Sequence, residues 1–162
     1  MARAPFDTLA ESSRVWIYRS HRPLSEQEVK ITSDSLDQFL DSWTAHNVEL
    51  LANAQVLHHQ FIVITLDENS SSAASGCSID AQVRFVRALG DSLKVDFFDR
   101  LTFDFLIDKD VQSIKKDEVQ GLINQGSIND DALVFDHLVK TKNQFTHRWI
   151  LPLNESWHYR LI

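Results

Sequence analysis

The segment from Asp67 to Asp80 concentrates the residues best suited to chemistry. It holds the carboxylate pair Asp67 and Glu68, a serine-rich run, and Cys77, the only cysteine of the chain, in the stretch ASGCSID. The segment follows an apolar run and opens a helical pattern, so unpaired N–H groups at the helix start should face this loop. If the chain has a small-anion site, we expect it in this loop.

The candidate ligand-binding residues follow from their side-chain types. Ser75 and Ser78 offer hydroxyl donors, Gly76 permits a close approach of the backbone, and Asp67 and Glu68 follow directly after a strand. A cation such as arginine is the natural clamp for an anion, although it also forms ordinary surface ion pairs. The candidate set is Asp67, Glu68, Ser75, Gly76, Ser78 and Arg100.

Cys77 supports two hypotheses. A thiol in the first turn of a helix is a candidate nucleophile, with the amides of residues 76–78 as an oxyanion hole and His46 or His58 as the base. Free cysteines are more often small buried side chains without reactivity, and Ser78 then serves only as a helix cap. We favour the buried, structural role. For His46 we favour contact with the C-terminal carbonyls of the preceding helix over catalysis.

Metal, nucleic acid and membrane are not expected as partners. His58 and His59 lie between two predicted strands, would point to opposite faces if they were on a strand, and lack HExxH or CxxC spacing, so neither a metal site nor another cofactor is predicted. The net charge of −7 repels phosphate backbones. Apolar runs of four residues are far too short to cross a bilayer. A single cysteine and no apolar leader fit the cytoplasm.

Periodicity predicts one α+β domain over residues 1–162. Six elements alternate as β-α-β-β-α-β, the order of a ferredoxin-like core, and an α/β extension follows. The predicted core elements are a strand at 14–19, a helix at 33–46 capped by Thr32 or Ser33, strands at 48–57 and 61–66, a helix at 76–90 and a strand at 95–107. The extension is predicted as a helix at 116–124, a strand at 133–139 and a helix at 142–149.

Several segments carry a family resemblance. VWIYRSHRPL, FLDSWTAHN, FIVITLDE, SGCSID and ESWH resemble a small family of bacterial cytosolic proteins that often bears the label ABC transporter ATPase. The matching positions are Trp16, Trp43, His46, Asp67, Glu68, Ser75 to Asp80, Arg100 and Trp157, whereas Asn47 replaces an expected glycine. The family has no assigned activity, so the resemblance implies no mechanism.

The ATPase label conflicts with the residues. A nucleotide-binding loop needs glycines followed by Lys-Ser or Lys-Thr, so that backbone amides and the lysine hold the phosphates. The nearest stretch, Gly121 to Ser127, has serine at the lysine position. We therefore expect a non-enzymatic domain that binds a small molecule or a protein, including a second copy of itself. The alternative is a thiol-dependent acyl-transfer enzyme or hydrolase that uses Cys77.

Overall fold

The computed structural model describes residues 3–45, 48–68 and 74–162. The strands are β1 (Arg14–Arg19), β2 (Thr44–Ala45), β3 (Val48–Glu49), β4 (Ala52–Leu57), β5 (Phe61–Leu66), β6 (Thr102–Ile107), β7 (Asp110–Lys115), β8 (Leu133–Phe135) and β9 (Ile150–Pro152). The α-helices are α1 (Glu26–Ser42), α2 (Gly76–Leu93), α3 (Lys116–Asn124) and α4 (Lys142–Arg148). Short 3-10 helices cover Phe6–Thr8, Leu153–Glu155 and Trp157–Leu161. In these ranges no helix is long and apolar enough to span a membrane.

Two antiparallel sheets form the framework of the α+β fold. The first has the order β1-β5-β4 and the second has the order β7-β6-β8-β9, while β2 and β3 form a separate two-stranded ribbon. Every residue of β5 is buried. One face of the first sheet packs on α1 and α2 through residues such as Leu36, Ile64 and Val86. The other face packs on the second sheet through Phe61 and Phe135. This burial on both faces explains why β5 is apolar at every position except Thr65.

Helix α1 begins earlier than predicted. Ser25 caps it: the Ser25 Oγ accepts a hydrogen bond from the Glu28 N–H, and the Glu28 carboxylate accepts one from the Ser25 N–H. Thr32 and Ser33, the predicted caps, therefore lie inside the helix. The error arose because the strongest apolar repeat begins only at Leu36, whereas the capping box lies two turns before it.

Gly90 does not end helix α2 as predicted. The helix continues to Leu93 and closes on Lys94, which has a left-handed conformation with φ of 57°. A Cβ atom on Gly90 would lie 2.5 Å from the Val95 carbonyl oxygen. The glycine is therefore required because the returning chain passes close to the helix, rather than as a stop signal.

The ferredoxin-like arrangement is not found. Of the predicted strand at 95–107, only β6 is extended, and it pairs with β7 and β8 in the second sheet instead of joining β1. A two-residue turn at Asp108 and Lys109, both with positive φ, joins β6 to β7. The extension also differs from its prediction: β8 ends at Phe135, and β7 and β9 were not predicted, whereas α3 is confirmed.

Candidate functional site

The serines around Cys77 serve the start of helix α2. The Ser75 Oγ accepts from the Ser78 N–H at 3.1 Å, and the Ser75 N–H donates to the Ser78 Oγ at 2.8 Å. The Trp43 indole N–H donates to the Ser78 carbonyl at 2.8 Å. A Cβ atom on Gly76 would meet nothing within 4 Å, so no close approach depends on this glycine. The hydrogen bonds between Ser75 and Ser78 therefore cap the helix.

Cys77 is exposed. The predicted buried, structural role is therefore wrong, and the physical reason is that residues 76 and 77 point outward from the first turn while Ser78 points inward. The thiol lines a shallow hollow of about 660 Å³ with Phe39 and Trp43. His46, its proposed base, lies outside the described residues, and that pairing stays a prediction.

The other proposed base, His58, is not among the residues that line this hollow. It lies in the turn between β4 and β5, where His58 and His59 both have positive φ. Its ring contacts Phe61, Phe135 and Trp149. Burial lowers the pKa of His58.

The predicted carboxylates face the beginning of the chain. The Asp67 carboxylate accepts from the Ala10 N–H at 3.3 Å, and Glu68 forms an ion pair with Arg14 at 3.3 Å. Arg100 lies elsewhere again, on a different cavity from Cys77. Among the residues that the structure describes, the predicted site residues lie in three places, and the anion site of the Asp67 to Asp80 loop, part of which lies outside the described residues, stays a prediction.

A larger cavity runs along the outer edge of β1, and we call it the β1 groove. Its volume is about 820 Å³. It occupies the place beside β1 where the last strand of a ferredoxin-like sheet was predicted, because that strand joins the second sheet. The groove is lined by residues 14–19, Val83, Arg87, residues 97–100, residues 102–104, residues 137–140, Trp157 and His158.

The β1 groove is rich in cations although the chain carries a net charge of −7. Its lining contains Arg14, Arg19, Arg87, Arg100 and Lys140 but only two carboxylates, Asp99 and Asp104. Arg14 pairs with Glu68, and Arg19 pairs with both groove carboxylates. Among the described residues this leaves Arg87, Arg100 and Lys140 without a carboxylate partner. All three are exposed. The groove therefore attracts anions.

A buried ion pair closes the floor of the groove. The Arg19 Nε and Nη2 atoms donate to the two Asp104 carboxylate oxygens at 2.6 and 2.8 Å, and both side chains are almost fully buried. Ser113 donates to Asp104 and accepts from Gln60. Burial alone would raise the pKa of Asp104, but hydrogen bonds from His137 and Arg19 outweigh it and lower the pKa to about 2. The carboxylate is therefore ionised at neutral pH.

His137 bridges this ion pair to the second sheet. Its Nε2 lies 2.8 Å from the Asp104 carboxylate, and its Nδ1 lies 3.2 Å from the Trp149 Nε1. Because the indole nitrogen is only a donor, Nδ1 must accept, and the proton of the neutral ring is on Nε2. Both ring nitrogens of His137 are thus engaged, so this histidine positions Asp104 and is not available as a general base.

His158 is the second histidine of the groove. Burial lowers its pKa to about 4, so the ring is neutral at pH 7. The Ser156 hydroxyl donates to the Leu153 carbonyl and lies 3.1 Å from the His158 Nδ1. Since that hydroxyl has only one proton, Nδ1–H is the donor to it. The ring stacks on Trp157 at 3.9 Å and adds an aromatic surface to the groove.

Sequence reasoning missed most of this groove. Only Arg100 belonged to the predicted site. Asp104 lies in the predicted strand at 95–107 and was not among the candidate site residues, yet it lines the groove with a side chain that is only 1% exposed. No local pattern identifies its partner Arg19, because the two residues are 85 positions apart. No family model, curated protein or solved structure matches the chain. The family resemblance therefore stays a prediction.

Proposed function

We propose that this protein is a non-enzymatic binding protein whose ligand is an anionic molecule with an apolar part, held in the β1 groove. The observation that carries the proposal is the presence of three cations without carboxylate partners around an aromatic cavity, in a chain of net negative charge. Trp16, Phe98 and Trp157 supply apolar surface. Arg87 already rests on the Phe98 ring at 4.3 Å, so its guanidinium is held at the wall.

The ionisable groups inside the groove favour binding over chemistry. Asp104 is held by four hydrogen bonds, from Arg19 twice, Ser113 and His137. His137 has both nitrogens engaged. His158, with a pKa of about 4, is a weak base at neutral pH. These groups fix the shape and field of the groove rather than transfer protons.

The proposal is tested with 8-anilinonaphthalene-1-sulfonate, a probe that combines an anion with an aromatic surface. We expect saturable binding to the native protein, followed by dye fluorescence. Replacing Arg100→Glu or Lys140→Glu should weaken the Kd about fivefold or more, which corresponds to roughly 1 kcal/mol for a reversed charge near the ligand. The uncharged analogue N-phenyl-1-naphthylamine should respond little to either change.

Arg84→Glu is the matched control. Arg84 is an exposed residue of α2 outside the groove lining, and its replacement changes the net charge by the same amount. Near-ultraviolet circular dichroism confirms that each variant is folded. If Arg84→Glu weakens binding of the dye as much as Arg100→Glu does, the dye is attracted by the charge of the whole surface and the β1 groove is not its binding site.

A thiol-dependent acyl-transfer enzyme or hydrolase is the second candidate function. The exposure of Cys77 at the start of α2 favours it, because a nucleophile must be accessible. The test is incubation of native protein with p-nitrophenyl acetate, followed by intact-mass measurement and peptide mapping. A rapidly formed acetyl adduct on Cys77 that turns over, and that disappears in Cys77→Ala, would support an enzyme. Slow stoichiometric labelling without turnover would leave the thiol an ordinary surface cysteine.

A further inference from the structure

The edge of β1 that faces the groove has unused backbone hydrogen-bonding groups. The Val15 N–H donates to the Lys140 carbonyl, and the His21 N–H donates to the Asp96 carbonyl, both at 2.9 Å and both on the side away from β5. The Ser20 N–H donates toward the β5 side, to Gln60. Because successive residues of a strand alternate between its two edges, Ile17 and Arg19 direct their N–H groups into the groove.

These groups lack partners in the structure. Within residues 3–45, 48–68 and 74–162, no hydrogen bond reaches the backbone N–H or C=O of Ile17 or the N–H of Arg19 from the groove side. Both residues line the groove. A row of unpaired donors and acceptors on a strand edge is a template for another strand.

The groove has one wall on each side of β1, so an added strand would have a wall facing each of its two faces. Val83 and Arg87 of α2 line one wall, and residues 137–140 line the other, with β1 between them. An extended chain beside β1 would lie about 4.8 Å away and would send alternate side chains toward the two walls. The contacts at Val15 and His21 close both ends of the open edge, so the paired stretch is short, on the order of three to five residues.

We propose that the ligand of the β1 groove is a short extended acidic peptide from a partner protein, which adds a strand to the outer edge of β1. This inference rests on the proposed function and specifies its ligand class. The backbone pairs with Ile17 and Arg19, and acidic side chains meet Arg87, Arg100 and Lys140. Strand addition uses main-chain hydrogen bonds for affinity and side-chain contacts for selection.

Charge complementarity selects this occupant over a second copy of the chain. The cations without carboxylate partners lie on the walls that alternate side chains of an added strand would reach. A second copy would bring the same cationic walls against themselves if the two β1 edges paired about a two-fold axis. An acidic segment of another protein meets no such repulsion.

The experiment uses the full chain and a synthetic peptide, acetyl-Val-Glu-Asp-Glu-Val-amide, whose acidic side chains would face both walls of the groove. Calorimetry should give saturable binding, and the lysine-for-acid peptide should bind at least about tenfold more weakly. A peptide N-methylated at its three central residues keeps the charges but loses donors, and it should also bind at least about tenfold more weakly. Equal affinity after N-methylation would show that charge alone holds the peptide and would overturn strand addition.

Amide hydrogen exchange by NMR supplies the structural readout. In the free protein, the Ile17 and Arg19 amides should exchange faster than those of Trp16 and Tyr18, which pair with β5. Saturating peptide should slow exchange at Ile17 and Arg19 at least about tenfold and leave Trp16 and Tyr18 unchanged. Protection of Ile17 and Arg19 in the free protein that grows with protein concentration would identify a second copy as the occupant and overturn the proposal.

The two proposals fail differently. If the naphthalene sulfonate binds with the expected dependence on Arg100 and Lys140 but the peptide does not bind, the groove takes an anionic small molecule and strand addition is wrong. If neither probe binds, the proposed function itself is wrong, and strand addition is wrong with it.

Discussion

Replacing Asp104 by asparagine should destabilise the protein strongly, because it leaves the buried Arg19 guanidinium with only Asp99, at 3.3 Å, as a counter-charge. Asparagine keeps the shape but offers one neutral acceptor in place of two charged ones. Both side chains of the pair are 6% exposed or less, and breaking such a pair typically costs about 3–5 kcal/mol. The free energy of unfolding from urea denaturation at pH 7 measures this loss.

The pH dependence gives the same interaction an independent measurement. The folded-state pKa of Asp104 is lowered from 3.8 to about 2, which corresponds to roughly 2.5 kcal/mol of stability. Because the shift is downward, this stability is fully present above the unfolded-state pKa and is lost as the pH falls through about 4 toward 2. In Asp104→Asn, the free energy of unfolding should not show this part of its decrease between pH 5 and pH 2.

Two control variants separate the loss of the buried ion pair from the loss of any carboxylate. Asp34→Asn removes the carboxylate of an exposed pair with Lys30 and should cost less than about 0.5 kcal/mol. The double variant Arg19→Met, Asp104→Asn should be less destabilised than Asp104→Asn alone, because it removes the buried charge that has lost its bidentate partner. A loss below about 1 kcal/mol for Asp104→Asn, or a double variant that is the sum of the single ones, would refute the account.

Three further changes test local features by thermal and urea unfolding. Gly90→Ala should destabilise the protein by about 1–3 kcal/mol, because the new Cβ would lie 2.5 Å from a backbone oxygen. Gly121→Ala in α3, which has open space around it, should stabilise the protein by about 0.5–1 kcal/mol, and stability changes of the same sign for both variants would contradict the close approach at Gly90. His59→Gly should stabilise by about 0.5–1 kcal/mol, since glycine adopts the φ of 53° without the strain of a side chain, and a destabilised variant would show that the imidazole matters more than the turn. Cys77→Ser should change stability by less than about 0.5 kcal/mol because the side chain is exposed, and a loss above about 1 kcal/mol would mean that the thiol is buried in solution.

Local periodicity predicted several of the longer elements, such as β1, β5 and α3, but not how the elements assemble. β5 was recognised because burial on both faces leaves a strand that is apolar except at Thr65, and the bounds predicted for α3 match those in the structure. The sequence did not show which sheet β6 joins. An alternating strand fits any sheet with a free edge, and which sheet it joins depends on contacts with residues far along the chain. Asp104 was missed for the same reason: an aspartate between phenylalanines is read as solvent-facing unless its distant arginine is known.

The candidate site shows the same limit. The loop around Cys77 has the composition of a binding loop, but its serines cap α2 and its carboxylates hold the beginning of the chain. Among the described strands only β5 pairs with β1, and the β1 groove lies along the edge that this leaves open. The sequence of β1 carries no pattern that shows which of its two edges is paired. Arg100 was found because an arginine next to an acidic residue is visible locally.

The second sheet covers the face of the first sheet that α1 and α2 leave open, and this has a consequence for synthesis on the ribosome. Ile17, Phe61 and Arg19 emerge long before Phe135 and Trp149, which cover that face. At about 5–20 residues per second, the interval of roughly 80 residues after β5 lasts on the order of several seconds. During that time the nascent chain exposes an apolar surface, and until Asp99 and Asp104 emerge Arg19 also lacks both of its carboxylate partners. Residues 1–93 made alone should therefore be cleaved by protease far faster than the same residues in the full chain.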